Sequence, residues 1–252
     1  MKKFLMGGLI GLVLFGLASL TAQASEGCEF QNSLQDLAWI HNNPPSNDYS
    51  ENLRAELVVR KKIFNQLIDC GIAEATGLQS SIQSVSVDSP EMKDSQNRLS
   101  SKFGDAINYY RLQKTLVGDL GIEGSKQFSK DIKEWRSSNY APLAELGKNF
   151  VIFRKNQDLM ETAHKRLNQI EQTLRILKVT DNETVRIILQ NAQDNFGKAK
   201  SDNDRAQQIF RQLSWPNDSS QLAESSLAYL KETYQNFFDI RNELGKIISG
   251  AH

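Results

Sequence analysis

The apolar pattern is most regular between Pro142 and Leu213. From Leu143 onward, apolar residues fall at Leu146, Phe150, Phe153, Met160, Ala163, Leu167, Ile170, Leu174 and Leu177, with Asn156 at the one polar position of the series. Steps of three and four define a helical seam of the heptad kind, and nothing in the stretch has the period of two that a strand requires. At 1.5 Å per residue the helix would run about 50 Å. A second seam follows at Val185, Leu189, Ala192, Phe196, Ala199, Asn203, Ala206, Phe210 and Leu213. Thr180 and Glu183 have capping-box spacing and predict where this second helix begins.

Two such helices joined by a short turn should fold back on each other. With paired positions summing to 359, Leu174 meets Val185, Leu167 meets Ala192 and Met160 meets Ala199, so large side chains face small ones. Asn156 then falls opposite Asn203. A buried asparagine pair of this kind sets register at some cost in stability.

The rest of the chain is also helical in pattern. Ser33 can cap a short helix carrying Leu34, Leu37 and Trp39, which ends at Pro44 and Pro45. Ser50 is placed to cap a long helix that runs to about Val85 through Gly71 and Gly77, either of which can kink it. Ser89, Pro90 and Glu91 form a strong start signal for the next helix, which Gly121 ends. A shorter helix spans Ser125 to Arg136, and 137–140 reads as a loop. A last helix runs from about Ser220 to Ser249.

The expected fold is all-α: an elongated antiparallel bundle of about five long and two short helices, with coiled-coil-like packing in the long ones. Two halves are expected, a helical sub-bundle over 25–138 and a second bundle over 139–252 built on the hairpin and the last helix.

The N-terminus has the form of a secretory signal over 1–24. Lys2 and Lys3 precede an apolar run from Leu9 to Leu20, and Ala22-Gln23-Ala24 has the small-x-small form of a cleavage site. The expected location is therefore exported, either periplasmic or secreted. No later segment is apolar enough to span a bilayer once the signal is removed. Two cysteines remain, Cys28 and Cys70, and in an exported chain the simplest outcome is one disulfide. It would close a loop of about 43 residues and contribute roughly 3–4 kcal/mol in the chain-entropy model.

Composition narrows the function classes. The chain has 252 residues, 39% hydrophobic and 24% charged, with a net charge of +0. No overall basic field exists to recruit nucleic acid or an acidic membrane. Glu161-x-x-His164 matches half of a di-metal bundle motif, but it occurs once, and His41 and His252 complete no second copy. Gly118, Gly121 and Gly124 lack the Lys-Ser/Thr ending of a phosphate loop. Asp202 and Asp204 lack the Gly and Glu of a calcium loop. No nucleophile elbow is present. The expectation is no catalytic, cofactor or metal site.

Trp39, Trp135 and Trp215 lie near helix ends, and Tyr140 soon follows Trp135. Tyr110, Trp135 and Tyr140 are the candidate walls of a ligand groove. The leading expectation is an exported, non-enzymatic helical protein that works through a protein partner. The alternative is a helical domain binding a small apolar or aromatic ligand. Seams of this kind can also pair between chains, so a homo-oligomer is open.

Overall fold

The structure is a computed structural model that describes residues 31–43, 45–212 and 218–250. The signal segment, Cys28, Leu213 and Trp215 lie outside the described residues. Helices account for 91% of what is described, with no strand among those residues, and several long helices pack antiparallel. The all-α expectation holds.

The elements run α1 Gln31–Asn42, α2 Tyr49–Ser84 and α3 Pro90–Leu116, then a 3-10 turn at Val117–Asp119. After these come α4 Ile122–Trp135, a π-helical turn Arg136–Tyr140, α5 Ala141–Ile176, α6 Glu183–Gln212 and α7 Asp218–Ser249. Two compact units result. The first holds the described residues through Leu78 together with Phe103–Tyr140. The second holds Gln79–Lys102 and the described residues from Ala141 onward. Residues 79–102, which the sequence pattern assigns to the first half, group with the second by backbone proximity.

Helix starts differ from expectation in detail. Asp48, not Ser50, caps α2: its carboxylate accepts a hydrogen bond from the Ser50 N–H at 2.8 Å. Asn182, not Thr180, caps α6, its side-chain oxygen accepting from the Val185 N–H at 3.0 Å. Both are short Asx side chains two or three residues before the donor, the commonest capping geometry. Ser89 does cap α3, accepting from the Met92 N–H at 3.2 Å. A backbone hydrogen bond at Glu91, then the Ser89 hydroxyl, holds the Glu91 carboxyl below its usual range.

Neither Gly71 nor Gly77 breaks α2. The expected loop at 137–140 is instead a π-helical turn. Pro142 has no N–H to donate one turn back, so the ladder before it must rearrange. Side chains take up freed carbonyls: Asn139 Nδ2 donates to Trp135 O at 3.3 Å and Ser137 Oγ to Glu134 O at 2.9 Å.

In the second unit α5, α6 and α7 share a core. Met160, Ala163 and Leu167 meet Ala192 and Ala199, and α7 adds Leu230 and Phe237. Phe150, Phe153 and Phe210 form an aromatic layer with centroids 5.2–6.4 Å apart. Across the hairpin Asn203 contacts Gln157, Phe210 contacts both Phe150 and Phe153, and Phe196 stacks on His164. Asn156 and Asn203 are both fully buried but do not satisfy each other. Asn156 Nδ2 donates to Ala223 O at 2.9 Å and Asn203 Nδ2 to Gln157 Oε1 at 2.8 Å. Both amide oxygens are left unbonded. The predicted self-satisfying pair is thus replaced by bonds to other partners, because a third helix supplies a carbonyl to the seam.

The same unit fixes the α2–α3 turn. Arg154, 4% exposed, donates from Nε to Ser86 O at 2.7 Å and pairs with Asp88 at 2.9 Å. Gln96 donates to Ile82 O and Val85 O at the end of α2, satisfying carbonyls that a helix terminus leaves open.

Candidate functional site

Three sequence-predicted candidates come together in the first unit. Tyr110 lies 5.1 Å from Trp135 and 5.6 Å from Tyr140, both edge-on, and Trp135 and Tyr140 are near-parallel at 6.3 Å. The π-helical turn makes this possible. At 100° per residue, positions five apart on an α-helix diverge by about 140°, whereas the wider π turn, closed by i→i+5 hydrogen bonds, turns less per residue and brings them nearer to one face.

Four residues that sequence reasoning did not assign complete the cluster. Tyr109 stacks on Trp135 at 3.7 Å. Arg136 donates to the Tyr110 hydroxyl at 3.0 Å, pairs with Glu74 at 2.7 Å and sits 5.0 Å from the Tyr140 ring centroid. Gly71 lets the Tyr110 ring lie directly on α2: a Cβ there would stand 2.6 Å from Tyr110 Cζ. Arg136 and Tyr140 were legible as an i, i+4 cation–aromatic pair, and Tyr109 as a neighbour of Tyr110. Glu74 and Gly71 carry no local signal, because their partners are tens of residues away.

The electrostatics follow from burial. Tyr110 is fully buried, which pushes its hydroxyl up, while the Arg136 charge pulls it down. Tyr140 is pushed well above the usual tyrosine range, by burial first and then by the Glu74 charge. The Tyr140 hydroxyl makes no hydrogen bond of ordinary geometry. Burial also raises Tyr109. Chemically the cluster is a neutralised ion pair wrapped in rings. Its aromatic pairs contribute about 0.5–1.5 kcal/mol each beyond area burial.

The other candidates are dispersed. Glu161 and His164 are exposed on α5, where His164 stacks on Phe196 at 5.8 Å and approaches Asn168 at 3.4 Å. Asp202 accepts from Ser225 and lies near Arg205, while Asp204 pairs with Lys200. No cluster of three or more metal-ligating side chains occurs among the described residues. Cys70 is half-buried on α2, and no described cysteine is free. Its expected partner Cys28 lies outside the described residues.

No protein-family model matches this chain, and neither a curated protein nor a solved structure does.

Proposed function

We propose that this chain is an exported, non-enzymatic helical protein that acts through contacts with a protein partner. The observation that carries the reading is the set of large apolar side chains that the first unit presents to solvent. Leu112 and Leu116 lie one turn apart on α3 at 59% and 46% exposure, and Trp39, Tyr49 and Val58 are more exposed still. The aromatic residues that could have walled a ligand groove pack on one another instead. Paired apolar positions on one helix face suit a helical partner laid alongside. The secretory form of residues 1–24 and the two cysteines support an oxidising destination, with a Cys28–Cys70 bridge.

The test is a photo-crosslinking residue placed at Leu112, with a matched probe at exposed Gln127. The reading expects one defined protein adduct at Leu112, absent at Gln127 and lost in Leu116→Asp. Equal labelling at both positions, or none at Leu112, overturns it.

One observation favours the second reading, a small ligand. The Tyr140 hydroxyl is buried beside the half-exposed Trp135 and makes no hydrogen bond of ordinary geometry. A molecule retained through purification and lost in Trp135→Ala would move the assignment to a ligand-binding domain.

A further inference from the structure

The α5–α6 end of the second unit carries a second exposed apolar group. Ile176 is 79% exposed, Leu177 41%, Ile187 47% and Ile248 71%. They belong to one end of the three-helix core. Leu174, Val185 and Ile240 are buried together there, and Val179, Ile188, Leu244 and Ile247 pack against them. Ile176 and Leu177 lie at and just past the end of α5, Ile187 in the second turn of α6 and Ile248 in the last turn of α7.

Cations alternate with them. Arg175 precedes Ile176, Arg186 precedes Ile187 and Lys246 stands two before Ile248, with Lys178 just beyond Leu177. Arg175, Lys178 and Arg186 are exposed and enter no ion pair among the described residues; Lys246 pairs with Glu243 at 3.0 Å. The acidic groups at this end are Asp181, Glu183, Asp239 and Glu243, and Arg241 adds a fifth cation, so cations exceed acids by one here although the whole chain is neutral.

Lys178 adds an independent sign. The Val179 N–H bonds Leu174 O at 3.1 Å and the Lys178 N–H bonds Arg175 O at 3.2 Å, closing α5 in a Schellman motif. That motif needs a left-handed residue, normally glycine, and Lys178 adopts φ 55°. A strained cation thus stands where glycine would fold more easily, at the tip of an apolar, basic end. Strain kept against an easier alternative points to a use.

We infer that this end of the second unit docks on an anionic lipid surface, with the aliphatic side chains entering the interfacial layer and Arg175, Lys178 and Arg186 facing the headgroups. Aliphatic side chains at helix ends, flanked by unpaired cations, need no shape-matched partner, and a charged lipid surface supplies both contacts at once. No described helix is long and apolar enough to cross a membrane, so the attachment is peripheral. The inference is independent of the protein-contact reading, which rests on the first unit.

The test is co-sedimentation of the full mature protein with vesicles of phosphatidylcholine alone, or with about a quarter phosphatidylglycerol. Binding should require the anionic lipid and fall with salt. Lys178→Gly should weaken it about fivefold while raising the melting temperature, a combination that damage to folding cannot produce. Ile176→Ser with Ile187→Ser should weaken binding about tenfold or more, with helicity unchanged by circular dichroism. Absence of binding, equal binding to both vesicles, or indifference to these variants overturns the inference. So does a concentration-dependent dimer that the isoleucine variants dissociate, which would assign this end to a second copy of the chain.

Discussion

The two units bury polar groups by different means. In the first, Arg136 reaches Glu74, 62 positions away, and Tyr110, 26 away, so the charge is neutralised by partners distant in sequence. In the second, Asn156 and Asn203 occupy regular seam positions at 0% and 1% exposure and leave their amide oxygens unbonded. Glu74 is largely buried while Arg136 is partly exposed, so loss of the arginine leaves a buried carboxylate without its partner. A buried neutral amide with one bond made is tolerated, and it can restrict how helices slide. The first cluster is therefore sensitive to loss of the arginine, while the second gives up stability for alignment.

The largest expected effect is steric and tests how tightly the first cluster is filled. Gly71→Ala forces a methyl against the buried Tyr110 ring and should lower stability by about 1–3 kcal/mol. Gly77→Ala, one helix region away with nothing within 4 Å, should raise it by about 0.5–1 kcal/mol. Thermal melts of the two variants should move in opposite directions. A Gly71→Ala melt matching wild type would mean the ring has room to retreat.

In the second unit, Asn203→Leu removes a buried amide with one unbonded oxygen. Stability should rise by about 1–2 kcal/mol. Register should become less certain, read as additional products when cysteine pairs are introduced at Met160 and Ala199 and at positions one turn offset. A loss of stability would mean that the Gln157 bond outweighs the amide's desolvation.

Tyr140→Phe has the smallest effect at neutral pH, within about 0.5 kcal/mol, because the hydroxyl it removes makes no hydrogen bond of ordinary geometry. Its signature lies in alkali. The folded protein holds the Tyr140 proton well above the unfolded value of about 10. That contribution is complete below pH about 10 and is lost as pH rises above it. Urea midpoints should decline with pH less steeply in the variant than in wild type. Equal slopes would show that Tyr140 ionises normally in the folded state.

The contrast also governs what the amino-acid order reveals. The all-α class and the course of α2, α5 and α6 were legible because apolar spacing is a local, repeated signal. The Ser89 start was legible because cap, proline and acid are consecutive. Asp48 and Asn182 do not stand out as caps in the sequence, since Ser50 and the Thr180–Glu183 box offer equally good local patterns a few positions away. The π-helical turn was taken for a loop because Ser137, Ser138 and Asn139 are turn formers, and only Pro142 hinted at a rearranged ladder. Tyr110, Trp135 and Tyr140 could be grouped as aromatic residues near helix ends. Their packing on one another could not be read, because Gly71 and Glu74 act through space. The hydrogen bond from Asn156 to Ala223 was equally hidden, since it depends on α7 joining a seam that the sequence describes as two-stranded.

We read the Tyr110–Trp135–Tyr140 group as rings packed around an ion pair, with Arg136 and Glu74 acting as one unit. A double-mutant cycle on Glu74→Gln and Arg136→Met, read by urea denaturation, tests it most directly. The account predicts that the single variants lose more than additivity allows against the double, with a coupling of about 1 kcal/mol or more, discounted for the partial exposure of Arg136. Additive losses would contradict it, and would leave the three rings free to serve as a ligand wall.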